Sequence, residues 1–378
     1  MNDAAKRLEP VLLSERASAS GHRIARATLN SPGNLNALSL AMIRELDRAL
    51  IRWAEDPTIA LVWLEGAGER AFCSGGDVVA LARLALEHGP EAAVPHAQAF
   101  FEHEYRLDYR LHRYPKPVVV WGHGVVMGGG MGLMQGASHR VVTEASRLAM
   151  PEITIGLFPD VGGSWFLSRL APGLGLFLAL TGVHLNAADA LYAGLADFAL
   201  ASAERERVLE RLAAEPWSGE AQEDSSRLTH LLEAAGQGLE LPASALEAHH
   251  GRIRRIIGRD RLSDIAERLR ALTEDPDPWL ARAAQNFVRG SPTTAALSYE
   301  LQQRARYLSL ADVFRLEYQA AVGCCAHRDF PEGVRALLID KDRNPRWQPA
   351  TLEEVTPGWI EDHLRPRFTG PHPLADLS

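Results

Sequence analysis

The sequence has few cysteines, no long apolar run and no excess of positive charge. Only three cysteines, Cys73, Cys324 and Cys325, occur in 378 residues. Two of them are adjacent and no CxxC spacing is present, so they indicate reduced thiols in a cytosolic protein rather than a disulfide framework. No run of ~18 apolar residues appears, which argues against a membrane span.

The charge balance argues against nucleic acid as a partner. Forty-eight acidic residues outnumber 40 basic ones, and the formal net charge is -8. A protein that binds duplex nucleic acid normally carries a basic stripe, whereas the basic residues here are interleaved with acids. Residues 1–10 contain charges and no apolar core, so we expect no secretory signal. We therefore predict a cytoplasmic protein that binds neither nucleic acid nor a membrane.

Buried strands and amphipathic helices alternate in the first half of the chain. The apolar runs at 59–64 and 118–121 predict strands, and each is followed by a stretch with helical spacing. Residues 40–53 have helical spacing directly after Ser39, which is a good N-cap. This alternation predicts an α/β fold whose strands are covered on both faces.

Helical patterns dominate after residue 205. Ser291 and Pro292 form a good N-cap and first residue of one such helix. The final stretch contains three prolines and shows no periodicity. We therefore divide the chain into a catalytic core, a helical C-terminal region and an irregular tail, at residues 1–205, 206–363 and 364–378.

Two glycine-rich segments lie between a predicted strand and a predicted helix. They are residues 71–77, AFCSGGD, and residues 122–132, GHGVVMGGGMG. Glycine lets the backbone turn sharply and lets another group approach its amides, and amides at a helix N-terminus attract negative charge. Two such amides could stabilise an oxyanion. Tight strand-to-helix turns are the alternative reading, and neither segment fits a phosphate loop or a dinucleotide-binding fingerprint.

Two acids, Glu152 and Asp160, follow in an otherwise apolar stretch, residues 150–163. Apolar surroundings raise the pKa of a carboxyl group, and two nearby acids move each other's pKa values apart. One of them can then act as a base or nucleophile while the other holds a proton. The alternative is structural, with Glu152 capping a turn and Asp160 capping the next helix.

In combination, these segments resemble the crotonase (enoyl-CoA hydratase/isomerase) superfamily. The resemblance extends from about residue 22 to about residue 348 and rests on residues 36–39 (NALS), 71–77, 116–132 and 151–152 (PE). Further segments are similar to the 3-hydroxyisobutyryl-CoA hydrolase branch, at residues 158–163 (FPDVGG), 179–182 (ALTG) and 332–342 (EGVRALLIDKD). The resemblance implies a spiral of ββα repeats followed by a helical C-terminal region.

The resemblance also assigns roles to individual residues. It matches Gly76 and Gly129 to the two oxyanion-hole donors, and Glu152 to the superfamily's catalytic acid. Asp160 matches the second acid of the hydrolase branch, and Glu104 matches an acid that contacts the substrate. The site implied is therefore an acyl-thioester site with amide donors and several acids.

Two more residues are candidates for substrate binding. Asp77 ends the first glycine segment, and Lys341 corresponds to a position where relatives carry a basic residue for the CoA phosphates. A solvated surface lysine is an equally good reading of Lys341.

One difference from the superfamily pattern bears on which of the superfamily's reactions this chain catalyses. Typical hydratases carry a second glutamate where this chain has Gly132, and a glycine where it has Asp160. Hydration needs an acid–base pair around the alkene, so the change favours thioester hydrolysis over hydration. The resemblance implies a short 3-hydroxyacyl-CoA as the substrate, in particular 3-hydroxyisobutyryl-CoA, and valine breakdown as the pathway. We expect no metal and no cofactor, since CoA enters as part of the substrate.

An enoyl-CoA isomerase or hydratase is the alternative function, and a non-catalytic acyl-CoA or RNA binder is a more distant one. Relatives assemble into trimers or hexamers.

Overall fold

The computed structural model describes residues 9–378. The expectation that no secretory signal is present concerns residues 1–10, of which the first eight lie outside the described residues. Within the described chain, no helix is both long and apolar enough to cross a membrane.

The strands of the described chain form a large sheet and a small one. They are β1 (Val11–Ala17), β2 (Arg23–Leu29), β3 (Ile59–Gly66), β4 (Ala71–Cys73), β5 (Val118–Gly122), β6 (Val125–Met127), β7 (His139–Thr143), β8 (Arg147–Ala149) and β9 (Phe198–Leu200). The large sheet has the order β1-β2-β3-β5-β7-β9, and the small sheet has the order β4-β6-β8. Only the β1–β2 pair is antiparallel among these strand pairs.

The helices of the described chain lie between and after these strands. They are α1 (Leu40–Glu55), α2 (Val79–His88), α3 (Pro90–His112), α4 (Gly129–Gly136), α5 (Gly163–Leu167), α6 (Leu174–Thr181), α7 (Ala187–Ala193), α8 (Arg205–Ala214), α9 (Ala221–Gly236), α10 (Ala245–Ile257), α11 (Leu262–Arg270), α12 (Pro278–Arg289), α13 (Pro292–Ala305), α14 (Leu310–Cys325), α15 (Asp329–Val334) and α16 (Pro357–Leu364). Short 3-10 turns lie at Pro32–Asn34, Glu152–Thr154, Ser202–Glu204 and Leu352–Glu354, and a π-helical turn lies at Arg335–Ile339.

Successive segments of the chain build a spiral. In each repeat, one strand joins the large sheet, a short strand then joins the small sheet, and a helix follows, as in β3-β4-α2 and β5-β6-α4. The expected spiral of ββα repeats is thus confirmed, and so is the helical C-terminal region. The strand-to-helix junctions of neighbouring repeats lie side by side, and the two glycine-rich segments occupy two of these junctions.

The large sheet is covered on both faces, as its apolar strands predicted. Every residue of β3 is buried. Val62 and Leu64 contribute to the main core, whereas Leu61 and Trp63 contribute to a second core beneath α8 and α9. Trp63 stacks on Trp121 of β5 at 5.5 Å in this second core. Alternation of side chains along one strand therefore supplies two separate apolar layers.

Several predicted helix starts are confirmed by hydrogen bonds. Ser39 accepts a bond from the Met42 N–H at the start of α1, and Ser291 accepts one from Thr294 at the start of α13. After α16 the chain is irregular, yet Leu374 is fully buried and Arg106 of α3 pairs with Asp376. The division at 1–205, 206–363 and 364–378 stays a prediction.

Candidate active site

The first glycine-rich segment presents a backbone amide, that of Gly76, with no hydrogen-bond partner in the described part of the chain. Leu38 forms a parallel bridge with Gly76, in which the Leu38 N–H donates to Gly75 and the Asp77 N–H donates to Leu38. A residue bridged in this way turns its own N–H to the opposite side. The Gly76 amide therefore faces away from Leu38 and is available to a ligand.

The second glycine-rich segment brings another amide to the same place. Gly129 is the first residue of α4, where N–H groups have no partner within the helix. Its predecessor Gly128 has φ 48° and ψ -121°, a conformation that a side chain would strain. A Cβ atom on Gly129 would lie only 3.3 Å from the Gly76 nitrogen. Two available amides thus lie side by side at a helix N-terminus, as an oxyanion hole requires.

Glu152 lies beside this pair of amides. It begins the 3-10 turn after β8 and is buried. Its Oε1 atom lies 3.0 Å from the position that a Cβ on Gly128 would occupy, whereas Oε2 has no hydrogen-bond partner among the described residues. Burial raises the pKa of Glu152, and the charge of Asp160 raises it further. Glu152 is therefore an unpaired acid next to the oxyanion amides.

Asp160 is the second buried acid, and it has a partner. The Tyr105 hydroxyl of α3 donates a hydrogen bond of 2.7 Å to Asp160 Oδ2. Burial raises the pKa of Asp160 to about 7, although the bond from Tyr105 lowers it. Asp160 thus titrates near neutral pH.

Glu104 closes the site from the α3 side. Its Oε1 atom would lie 2.7 Å from a Cβ on Gly129 and 3.5 Å from one on Gly76, and it has no hydrogen-bond partner among the described residues. Burial raises the pKa of Glu104, with a further contribution from Asp160. The structure therefore brings together five of the seven candidate site residues: Gly76, Gly129, Glu104, Glu152 and Asp160.

The other two candidates lie outside this buried group. Asp77 and Lys341 are both exposed. Asp77 precedes α2, and Lys341 follows the π-helical turn that packs on α2. In the part of the chain that the structure describes, no three His, Cys, Asp or Glu side chains are arranged to hold a metal ion.

Two further buried acids were missed in the sequence. Glu317 of α14 accepts the N–H groups of Gly162 and Ser164 at 2.7 and 2.8 Å, and burial raises its pKa to about 8. Asp108 lies one helical turn after Glu104, and neither of its oxygens has a partner among residues 9–378. The spacing of four residues from Glu104 could have placed Asp108 on the same helix face. Nothing near Glu317 in the sequence indicates this contact.

Among the buried acids of the site, Asp160 is the first to ionise. The charge of Asp160 raises the pKa values of Glu104, Glu152 and Glu317, and within residues 9–378 none of these acids forms a salt bridge. Like charges in an apolar site disfavour each other, so one ionised member keeps its neighbours protonated. Asp160 therefore ionises before its neighbours, and its charge favours their protonated forms.

The position of the missing glutamate is filled by another residue. A Cβ atom on Gly132 would lie 2.6 Å from the Cβ of Val161 and 3.1 Å from Asp108 Oδ1. Val161 itself has φ 53°, which is rare for a β-branched residue. The side chain of Val161, the residue after Asp160, therefore occupies the space beside Gly132.

Comparisons with known proteins agree with this geometry. The family model described as enoyl-CoA hydratase/isomerase matches residues 24–364. The chain is 38% identical over 340 residues to 3-hydroxyisobutyryl-CoA hydrolase, mitochondrial, of Gallus gallus, covering 90% of this chain and 86% of the relative. For the protein of the same name in Homo sapiens the identity is 36% over 338 residues, covering 89% and 85%.

Solved structures give the same fold. The structure of a carnitinyl-CoA dehydratase from Mycobacterium thermoresistibile is 35% identical with a TM-score of 0.83, covering 98% of this chain and 99% of the other. The structure of an enoyl-CoA hydratase from Rhodobacter sphaeroides is 34% identical with a TM-score of 0.78, covering 95% and 98%. The names of these relatives cover both thioester hydrolysis and chemistry at the neighbouring carbon–carbon bond.

Proposed function

Since this chain belongs to the enoyl-CoA hydratase/isomerase family, we propose that it hydrolyses 3-hydroxyisobutyryl-CoA to the free acid and CoA. One observation carries the proposal: the chain has Gly132 at the position of the hydratases' second glutamate, and it has the acid Asp160 elsewhere in the site. Val161 fills the space beside Gly132, and Asp160 adds a buried acid from the same turn. The curated relatives named as hydrolases of this thioester support the same substrate.

The reaction begins with the thioester carbonyl between the amides of Gly76 and Gly129. These two donors stabilise the negative charge that forms on the carbonyl oxygen when it is attacked. They are fixed by the backbone, so they need no rearrangement during the reaction. Loss of one such donor typically costs about 2.7–4 kcal/mol of transition-state stabilisation.

Glu152 is the group that starts the attack. It either adds to the carbonyl to give a mixed anhydride, or takes a proton from an attacking water. Both roles need the ionised form. Because burial and the charge of Asp160 raise the pKa of Glu152, its ionised form is disfavoured but strongly basic once formed.

Asp160 and Glu104 interact with the acyl group and with the leaving thiolate. The ionised Asp160 accepts a hydrogen bond from the 3-hydroxyl of the substrate, or Asp160 in its protonated form passes a proton to the leaving thiolate. Glu104, next to both oxyanion amides, donates to the acyl group while protonated. The site thus recognises a short acyl chain that carries a hydroxyl, and it needs no cofactor.

Asp77 and Lys341 remain our candidates for contacts outside the acyl site. Both are exposed, as contacts to a solvated nucleotide portion require. Lys341 would pair with the CoA phosphates. Lys341→Ala is then expected to raise KM for the CoA thioester without lowering kcat, whereas an unchanged KM would show a surface lysine.

Hydration of an enoyl-CoA is the second candidate, because the two solved structures above are named as a dehydratase and a hydratase. Hydration needs a second acid on the far side of the alkene. Gly132 lacks a side chain, and Val161 leaves no room for one there. Hydrolysis therefore fits the site better than hydration.

Cellular context forms a separate part of the proposal. We place the protein in the cytoplasm and in valine breakdown, with trimers or hexamers as its assembly. Its three cysteines are buried and unpaired, which fits a reducing compartment. The curated relatives are named mitochondrial, so cell fractionation is the test of location. Light scattering on the purified protein tests the assembly.

A comparison of substrates tests the proposed specificity. Free-thiol release is measured with 3-hydroxyisobutyryl-CoA, 3-hydroxypropionyl-CoA and isobutyryl-CoA under identical conditions. We expect efficient release from the first and poor release from isobutyryl-CoA, because it lacks the hydroxyl that Asp160 would accept. Equal rates for the hydroxylated and the unhydroxylated thioester would contradict the role of Asp160. Single turnover in ¹⁸O-water tests the nucleophilic role of Glu152. Label in the Glu152 carboxylate would establish a mixed anhydride that water opens at the glutamyl carbon, since general-base attack places the label in the product acid alone.

A further inference from the structure

Hydrolysis of a thioester produces a proton that must leave the site. Water and thioester give a carboxylate, a thiol and one proton at neutral pH. One proton of the water goes to the thiolate, and each turnover therefore leaves one further proton in the site. The acids around the substrate are fully buried. If the proposed function holds, a route for this extra proton is needed while CoA occupies the entrance.

A row of polar side chains extends from the acyl site along one face of α3. Glu104, Asp108 and His112 are spaced by four residues, so they lie on the same face of the helix. Each step advances about 6 Å along the helix axis, at 1.5 Å per residue. The row begins beside the oxyanion amides and ends at His112, the last residue of α3.

These side chains share an unusual property. Glu104 Oε1, both carboxyl oxygens of Asp108, and His112 Nε2 are buried atoms without a hydrogen-bond partner among residues 9–378. Buried polar atoms in native proteins almost always have a partner, either protein or ordered water. Asp108 is fully buried and Glu104 is 2% exposed, so bulk solvent does not supply these partners.

The row runs beside the turn that carries Asp160. Asp108 Oδ1 would lie 3.1 Å from a Cβ on Gly132 of α4, and His112 Nε2 would lie 3.7 Å from one on Gly162. Both neighbours are glycines and contribute no side chain to the row. The nearest atoms to these two Cβ positions are the Val161 Cβ at 2.6 Å and the Phe314 ring at 3.2 Å. His112 is half-buried as a residue although its Nε2 is buried, so the row ends close to the surface.

The charged groups around the row favour neutral forms. Burial raises the pKa of Asp108, and the acids Glu104, Asp160 and Glu317 raise it further. Further titratable neighbours are Tyr105 and Glu152, whose pKa values burial and the charge of Glu104 raise, and Cys73 of β4, whose thiol pKa burial raises to about 12. Burial lowers the pKa of His112 to about 4, with a contribution from Arg140. A protonated carboxyl and a neutral imidazole can each accept a proton on one atom while releasing another.

We propose that Glu104, Asp108 and His112 form a water-bridged path that carries the reaction's proton from the acyl site to the surface. No direct hydrogen bond joins these side chains within residues 9–378, so a bridging water between neighbours is needed to connect them. Asp108 is the middle member and has no other role in the reaction. It therefore offers the cleanest test.

Asp108→Asn keeps the shape of the side chain and removes its exchangeable acid proton. We expect kcat to fall by about 10²-fold, the low end of what a positioned acid contributes. KM and the pH at which the rate rises should stay the same, because Asp108 carries no charge near neutral pH. The solvent deuterium isotope effect on kcat should increase. Glu102→Gln on the same helix, in a surface pair with Arg106, is the matched control.

A second variant tests the exit of the path. His112→Ala should lower kcat, and added imidazole should restore it in proportion to its concentration. An unchanged kcat and isotope effect in Asp108→Asn, or a loss in His112→Ala that imidazole does not restore, would overturn the path. Absence of thiol release from the wild-type protein would instead contradict the proposed function, so the two failures are distinguishable.

Discussion

The Tyr105 hydroxyl donates a 2.7 Å hydrogen bond to Oδ2 of Asp160, although the two residues are 55 positions apart. This bond stabilises the ionised form of Asp160 and lowers its pKa against the effect of burial. It also links α3 to the turn after the 3-10 helix, so the acid depends on tertiary structure for its protonation state.

Tyr105→Phe should therefore raise the pKa of Asp160. If ionised Asp160 is needed, the rising limb of the pH profile of kcat/KM moves to higher pH. Tyr109→Phe is the control, because its hydroxyl donates to the Ser378 carbonyl at the tail instead. A Tyr105→Phe profile that overlays the wild type would show that Asp160 does not set the rate.

The buried acids should make the free energy of unfolding fall as pH rises. Asp160 has a pKa of about 7 in the folded protein and about 4 when unfolded, so the unfolded state releases its proton first. Its contribution is fully present below about pH 4 and is lost as pH rises to about 7, with a slope of up to about 1.4 kcal/mol per unit. Glu317 extends the loss to about pH 8.

Urea unfolding between pH 5 and 9 measures this slope. Asp160→Asn should reduce it below pH 7, whereas Asp47→Asn, in a surface pair with Arg110, should leave it unchanged. Equal slopes in the wild type and in Asp160→Asn would mean that Asp160 titrates normally.

Gly129→Ala should abolish most of the activity. The added methyl group would meet Glu104 Oε1 at 2.7 Å and the Gly76 nitrogen at 3.3 Å, so it would displace groups around the oxyanion amides. We expect kcat to fall by about 10²–10³-fold, as for loss of one oxyanion donor. Gly33→Ala, where no atom lies within 4 Å, is the matched control. Near-normal kcat in Gly129→Ala would place the oxyanion elsewhere.

Gly132→Ala should destabilise the protein because its methyl group would lie 2.6 Å from the Val161 Cβ. Overpacking of a buried site costs about 1–3 kcal/mol. Adding Val161→Ala does not move that Cβ but removes the two methyl groups behind it, so the turn can shift and part of the loss should return. If Gly132→Ala unfolds at the same urea concentration as the wild type, then room for a side chain exists there and the argument against hydration weakens.

The repeating strands and helices could be predicted from local patterns, whereas the spiral could not. β3 and β5 are apolar runs with clear bounds, and Ser39 marks the start of α1. The strands of the small sheet contain three residues each, which is too short for periodicity, and two of them lie within or beside the glycine-rich segments. Only the family resemblance indicated how the repeats stack.

The residues of the site also fall into those that the sequence could predict and those that it could not. Gly76, Gly129, Glu152 and Asp160 lie in sequence segments with a recognisable composition. Glu317 reaches the site from α14, 155 residues beyond the Gly162 amide that it binds. No local pattern reports such a contact, because it depends on how α14 packs against α3 and α5.

The most direct test of the account is a paired assay on one preparation. Thiol release from 3-hydroxyisobutyryl-CoA and hydration of crotonyl-CoA are measured with the wild type, Glu152→Gln and Asp160→Asn. The account predicts rapid thiol release by the wild type, a loss of about 10²–10⁴-fold in Glu152→Gln, and hydration far slower than hydrolysis. Hydration without thiol release, or thiol release that survives both substitutions, would contradict it.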